Sequence, residues 1–360
     1  MIQKEKIPVG IIGATGMVGQ RFVTLLVDHP WFEIKVLAAS NRSAGQMYGE
    51  AVANKWKISD RLPDVVKDII VQDASDISAI AQKVRLVFCA VDMEKEDIKK
   101  LENDYAAAGC AVVSNNSAHR SSPDVPMIMP EVNPDHVALI DAQREAHGWS
   151  TGLIVVKCNC SIQSYVPPLT AWREFGPKQV VVTTLQAISG AGRTLDSAPE
   201  LVDNVIPYIG GEEEKSETEP LKIWGHIEGG KVVNVTTPTI SATCTRVPVA
   251  DGHMASVSVK FEKNPTQEEL IAALSNYQSP IADLDLPSAP DRFITYFDEP
   301  DRPQTRLDRD LGRGMAVSVG RLRPDPVLGW KFICLSHNTI LGAAGGAVLM
   351  AELLSAKEYI

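Results

Sequence analysis

Val9-Gly10-Ile11-Ile12 runs directly into Gly13-Ala14-Thr15-Gly16-Met17-Val18-Gly19, and Met17 to Val27 then follows a helical period. No other stretch narrows the fold as much. A strand, a glycine loop and a helix in that order build a turn whose backbone can approach a ligand closely, with helix N–H groups aimed at an anion. The spacing is G-x-x-G-x-x-G, a variant of G-x-G-x-x-G. Gly13, Thr15, Gly16, Met17, Val18 and Gly19 are therefore expected to cradle a dinucleotide.

The alternation continues. Ile34–Ala38, Arg85–Ala90 and Cys110–Val113 read as strands, and Lys95–Ala108 as a helix. Such alternation predicts a parallel, doubly wound α/β domain of the Rossmann type. A chain of 360 residues exceeds the roughly 250–300 at which one core tends to split, so two domains are expected. Beyond Cys160 the texture changes to a helix over Tyr165–Phe175 and strands at Gln179–Leu185, Ser241–Val249, Met254–Phe261 and Gly314–Gly320. Thr266–Tyr277 is a further helix, and Pro280–Pro303 a long ordered excursion. This half is expected to be an α+β catalytic and dimerisation domain with a largely antiparallel sheet, covered on one face. Gly342–Ala347 opens a last helix that returns to the first domain. The expected division is 1–157 plus 339–360 for cofactor binding, and 158–338 for the rest.

The end of the second strand bears on the dinucleotide. Ala39-Ser40-Asn41-Arg42-Ser43-Ala44-Gly45 holds no carboxylate for a ribose hydroxyl, whereas Ser40 and Arg42 suit a 2′-phosphate, so NADP is expected over NAD. A net charge of −10 argues against nucleic acid or an anionic membrane surface as partner. No apolar run approaches a membrane span, and Met1–Pro8 is too charged for a signal peptide. Six cysteines without a framework fit free thiols in a reducing cytoplasm. No spaced His/Cys set predicts a metal.

The apolar run Leu153–Val156 feeds into Lys157-Cys158-Asn159-Cys160-Ser161-Ile162-Gln163-Ser164. A thiol between a strand and an expected helix start has amides and a dipole that lower its pKa and receive an oxyanion. Arg246 and His253 stand seven residues apart, and the turn chemistry of Ala250-Asp251-Gly252 lets both reach one pocket. His253 is then the base for Cys160. Gln186 precedes a glycine-rich bend, and Ser117–Arg120 follows the fourth strand at the carboxyl end, where such sheets bind ligands. Glu212–Lys215 has the form of a charged helix start.

With these segments in this order, the chain resembles the aspartate-β-semialdehyde dehydrogenases of the archaeal and fungal type over essentially its whole length. The carrying segments are Gly13–Gly19, Ser114–Arg120, Asn159-Cys160-Ser161, Gln186–Gly192, Ile209–Lys215, Arg246–His253 and Asn338–Ala347. The resemblance implies Cys160 as the catalytic thiol, His253 as acid/base, and Gln186 and Arg246 on the substrate. It also implies Arg120, Asn116, Glu212 and Lys215 as phosphate and substrate contacts, with Ser189, Gly190 and Asn338 at the nicotinamide end. The implied reaction is the reversible NADP-dependent conversion of L-4-aspartyl phosphate to L-aspartate 4-semialdehyde and phosphate through a Cys160 thioester. Backbone donors at Asn159 to Ser161 are expected to hold the oxyanion. The implied setting is lysine, threonine and methionine biosynthesis by a homodimer or homotetramer. Two positions depart from the family: Cys158, a packed neighbour or an oxidation partner of Cys160, and the bulky Ile162-Gln163 pair. A malonyl-CoA reductase and a nonenzymatic NADP sensor are the rival expectations; the Glu212–Lys215 and Arg246–His253 segments speak against the first, and Cys160, Gln186, Arg246 and His253 standing together against the second.

Overall fold

The structure, a computed structural model, describes residues 5–360. The apolar runs of the first half form a parallel sheet of six strands: β1 (Ile7–Ile12), β2 (Phe32–Ala39), β3 (Gln72–Asp73), β4 (Leu86–Cys89), β5 (Ala111–Ser114) and β6 (Leu153–Val156). In space they run β3-β2-β1-β4-β5-β6. The last three are buried along their whole length, as a parallel sheet covered on both faces demands. Helix α1 (Met17–Leu26) follows β1, and α2 (Lys95–Ala107) follows β4. Strand order reverses between β1 and β4, so the β1–α1 turn and the loops after β4 and β5 open on one crevice. β3 escapes the sequence reading because its two residues are polar and too few to show a period.

The second half contributes α3 (Val166–Ala171), β7 (Pro177–Gln186), α4 (Glu212–Ile223), a small hairpin of β8 (His226–Glu228) and β9 (Lys231–Val233), and β10 (Thr239–Arg246). It continues with β11 (His253–Phe261), α5 (Gln267–Ser275), β12 (Ile294–Phe297), β13 (Val317–Asp325), β14 (Gly329–Ser336) and α6 (Gly345–Ala356). Its main sheet runs β10-β7-β11-β14-β13-β12. The sheet is mixed, with antiparallel pairings in the majority. The central pairings are antiparallel, but β10 lies parallel to β7 and β12 to β13 at the two edges. A crossover carrying α4 separates β7 from β10, long enough to return the chain in the same direction.

Burial along β11 alternates strictly, which leaves one face open and one packed. On the packed face Trp172 meets Phe332 edge-on, with ring centroids 4.9 Å apart. Its indole N–H donates to the Leu270 carbonyl of α5 at 2.9 Å. The single helix expected over Tyr165–Phe175 is shorter. Pro167 and Pro168 fit only a first turn, which fixes the start at Val166, and Gly176 at φ 68° closes the tight turn beyond. The edge strand β10 is covered by α4: carboxylates of Glu213 and Glu217 accept the free N–H groups of Cys244 and Ala242 at 3.2 and 3.0 Å.

After β14 the chain makes a wide turn at Ile340–Ala344 and enters α6, which lies against α1 and β5. α6 is buried on nearly every side; even its Glu352 is enclosed, 2.8 Å from His29. Among the described residues no helix is long and apolar enough to cross a membrane.

Candidate active site

β6 ends at Val156, and the chain turns through Cys158–Ser164 before α3 begins at Val166. Cys160 therefore sits in a turn and not at a helix N-terminus. It is half-buried, its Sγ 3.4 Å from His253 Nε2. His253 opens β11, just past a bend in which Gly252 takes φ 99°. Asn338 pins that bend: its Oδ1 accepts Gly252 N–H at 2.8 Å, and its Nδ2 donates to Ser189 Oγ at 2.8 Å.

Electrostatics overturn the expectation of an activated thiol at rest. Burial, then the charge of Glu212, pushes Cys160 up to about 12, against the pull of Arg120, Arg246 and Lys215. Burial and Arg246 push His253 down to about 3. The resting pair is a neutral thiol beside a neutral imidazole. Ala187 N–H donates to His253 Nδ1 at 3.0 Å, so the ring hydrogen lies on Nε2, facing the sulfur.

Charged groups surround this pair. Glu212, the first residue of α4, accepts from Lys215 Nζ at 2.8 Å, Asn159 Nδ2 at 3.0 Å and Gln186 Nε2 at 3.1 Å. Burial works against its charge, yet Lys215 and these bonds hold its carboxyl below the usual range. Arg246, at the end of β10, donates to the Ala187 carbonyl at 2.7 Å. A Cβ on Gly190 would lie 3.1 Å from both Arg246 Nη1 and the His253 ring, so the bend fits here because that residue has none. Arg120 reaches across from the loop after β5. It donates to Glu219 Oε1 and to the Asn115 carbonyl, each at 3.1 Å, and its buried Nε has no partner among the described residues.

Three expected contacts are committed elsewhere. Asn116 turns its Nδ2 beneath the loop, onto Glu102 Oε1 at 2.8 Å and Cys89 Sγ at 3.3 Å. Of the three backbone donors expected for an oxyanion, Asn159 N–H is taken by Glu219 Oε2 at 2.5 Å and Ser161 N–H by Asn159 Oδ1 at 2.8 Å. Cys160 N–H alone is left without a partner among the described residues.

Glu219, Ser216 and Lys222 were missed in the sequence. Ser216 Oγ lies 3.3 Å from Ser161 Oγ, and Lys222 Nζ donates to the carbonyls of Arg120, Ser122 and Val125 at 2.8, 2.6 and 2.9 Å. The signal was there: with Glu212 they recur at helical spacing on one face of α4. A polar stripe reads as a solvated face by default, and here it is the buried one. Gly342 was missed as well; a Cβ there would stand 2.9 Å from that of Cys160.

The Gly13–Gly19 turn fits a dinucleotide. Gly13 takes φ 92°, and a Cβ on it would meet the Ala90 carbonyl oxygen at 2.2 Å. On Gly19 a Cβ would meet the Gly13 carbonyl oxygen at 2.2 Å, so α1 packs tightly on the loop. Gly16 is exposed, with no side chain to obstruct the open N–H groups of Met17 and Val18. Thr15 is half-buried beside it, and Tyr48 braces the loop through the Ala14 carbonyl at 2.9 Å. Ser40 and Arg42 stand exposed just beyond β2.

A family model described as the NAD binding domain of semialdehyde dehydrogenase matches residues 8–140, and one described as the dimerisation domain matches 167–341. An aspartate-semialdehyde dehydrogenase of Archaeoglobus fulgidus is 44% identical over 354 residues, covering 98% of this chain and 99% of that one. The chain belongs to the aspartate-semialdehyde dehydrogenase family. A Saccharomyces cerevisiae member is 43% identical over 365 residues, 98% of both chains. Among solved members, the Candida albicans enzyme with NADP superposes with TM-score 0.89 at 40% identity, over 99% of this chain and 100% of that one. Aspartate semialdehyde dehydrogenase II of Vibrio cholerae, complexed with ASA, gives 0.74 at 26% identity over the same shares.

Proposed function

We propose that this member of the family reversibly converts L-4-aspartyl phosphate to L-aspartate 4-semialdehyde and phosphate, with NADP and a thioester on Cys160. The observation that carries the reading is Cys160 Sγ 3.4 Å from His253 Nε2, set among Glu212, Lys215, Arg246 and Arg120. An acidic chain has gathered three cations where a substrate carboxylate, phosphate and an oxyanion have to be held.

In the phosphorylating direction, Arg246 holds the substrate carboxylate, Glu212 its ammonium group, and Gln186 orients it. Cys160 adds through sulfur to the aldehyde carbon. The thiol proton passes to His253 Nε2 once the ring hydrogen has moved to Nδ1, which breaks the bond from Ala187 N–H. Cys160 N–H donates to the new oxyanion; loss of one such donor typically costs about 2.7–4 kcal/mol of transition-state stabilisation. When bound, NADP supplies the hydride acceptor that the change from thiohemiacetal to thioester requires. Phosphate held by Arg120 and Lys215 attacks the thioester carbon, and sulfur leaves as the thiolate. In this reading Gly13–Gly19 cradle the pyrophosphate, Ser40 and Arg42 hold the 2′-phosphate, and Ser189, Gly190 and Asn338 line the nicotinamide end.

The same reading divides the chain into 1–157 plus 339–360 and 158–338. It makes the protein a cytoplasmic biosynthetic homodimer or homotetramer. The test is NADPH formation from L-aspartate 4-semialdehyde, with and without phosphate and with NADP and NAD side by side. Phosphate-dependent NADPH formation supports the reading. Reduction of malonyl-CoA without phosphate-dependent turnover of the semialdehyde would overturn it.

A further inference from the structure

Glu219 stands where three pieces of the site meet. It projects from α4, is buried, and spends each carboxylate oxygen on a different partner. Oε1 accepts from Arg120 Nη1 at 3.1 Å, and Oε2 accepts the main-chain N–H of Asn159 at 2.5 Å. One side chain thus ties the loop after β5 to the turn that carries Cys160. One helical turn on, Lys222 holds the same loop through three carbonyls, including that of Arg120 itself. The guanidinium keeps an unpartnered, buried Nε, a donor awaiting an acceptor.

We propose that Glu219 is a positioning residue that fixes the Arg120 guanidinium relative to the Cys160 turn, so that phosphate arrives in line with the thioester. This rests on Arg120 as a phosphate contact, as read above. A long, buried arginine left unpaired loses both its orientation and its compensation for desolvation. With both of its oxygens already engaged by the protein, Glu219 acts through Arg120 rather than on the reacting atoms.

Kinetics with inorganic phosphate varied provide the test. Glu219→Gln keeps the size but turns an NH₂ group toward one of two donors, and is expected to raise the phosphate KM at least about tenfold. The expected fall in kcat is smaller, about threefold or less, with NADP affinity unchanged. Glu219→Asp keeps the charge and falls one carbon short; a smaller rise of the same kind is expected. In an Arg120→Ala background, Glu219→Gln is expected to add less than about twofold, because residues that act together are not additive.

A phosphate KM within about twofold of the parent in Glu219→Gln, with NADP binding intact, overturns the proposal. So does a full, additive effect in the Arg120→Ala background. Where Glu219→Gln fails to bind NADP, Glu219→Asp decides by the same criterion. If the parent needs no phosphate, the functional reading fails instead.

Discussion

The Gly13–Gly19 cradle and the buried face of α4 do related work by opposite means. The cradle presents main-chain N–H groups and works by removing side chains, since a Cβ at Gly13 or Gly19 would collide with backbone oxygen at 2.2 Å. The α4 face presents Glu212, Ser216, Glu219 and Lys222, and works by burying side chains that water would otherwise solvate. A backbone site accepts few residue types. A side-chain site is tuned by charge, and each of its members is held by a neighbour.

Substitutions separate the two most sharply at Cys160. Cys160→Ala is expected to lower phosphate-dependent NADPH formation by at least about 10⁴-fold. NADP binding, measured by fluorescence titration, is expected to persist, because the cradle stands apart from the thiol. Loss of cofactor affinity in that variant would merge the two regions into one. At Gly19, substitution by Ala is expected to cost about 1–3 kcal/mol through overpacking, seen as a lower melting temperature together with weaker NADP binding. On the same side, Arg42→Ala is expected to raise the KM for NADP about tenfold and leave that for NAD unchanged. An equal effect on both would remove Arg42 from 2′-phosphate recognition.

The α4 face answers to charge. Removing the carboxylate in Glu212→Gln lifts a group that disfavours the Cys160 thiolate, so its pKa is expected to fall from about 12. The pH dependence of iodoacetamide alkylation measures this, and an upward move would reverse the assigned electrostatics. Stability should show the smallest effects, with opposite signs at two buried groups. His253 has an ordinary pKa of 6.5 and about 3 when folded, so the unfolded chain binds more protons between those values. Its contribution is present above pH 6.5 and fades as pH falls toward 3. Glu131, pushed by burial from 4.5 to about 7, contributes below pH 4.5 and loses that contribution as pH rises through 7. Urea midpoints of His253→Asn and Glu131→Gln against pH should flatten these two opposing slopes.

The same contrast explains what could be read in advance. Glycines at fixed spacing after an apolar run are rare enough to show the cradle, and the Cys160 and His253 segments came with recognisable neighbours. The α4 stripe was invisible because Ser, Glu and Lys at helical spacing are what any exposed helix carries. Which face is buried depends on the packing of α4 along the edge of β10, a contact remote in sequence. The thiol's raised pKa was missed for a similar reason. Its causes are burial and then the charge of Glu212, which α4 brings beside Cys160 from a distant part of the sequence. Asn116 went astray because its amide finds Glu102, a partner on α2 that no motif links to it.

Gly342 has a mechanical consequence. The polypeptide leaves the first sheet through the turn at Cys160 and returns to it through the turn at Gly342, and these two passages touch. The bonds of Glu219 and Lys222 close the same seam beside them. The place of the sulfur is thus set by the returning stretch of chain as much as by its own turn, and one added methyl at Gly342 would push on the nucleophile without touching any residue that binds substrate.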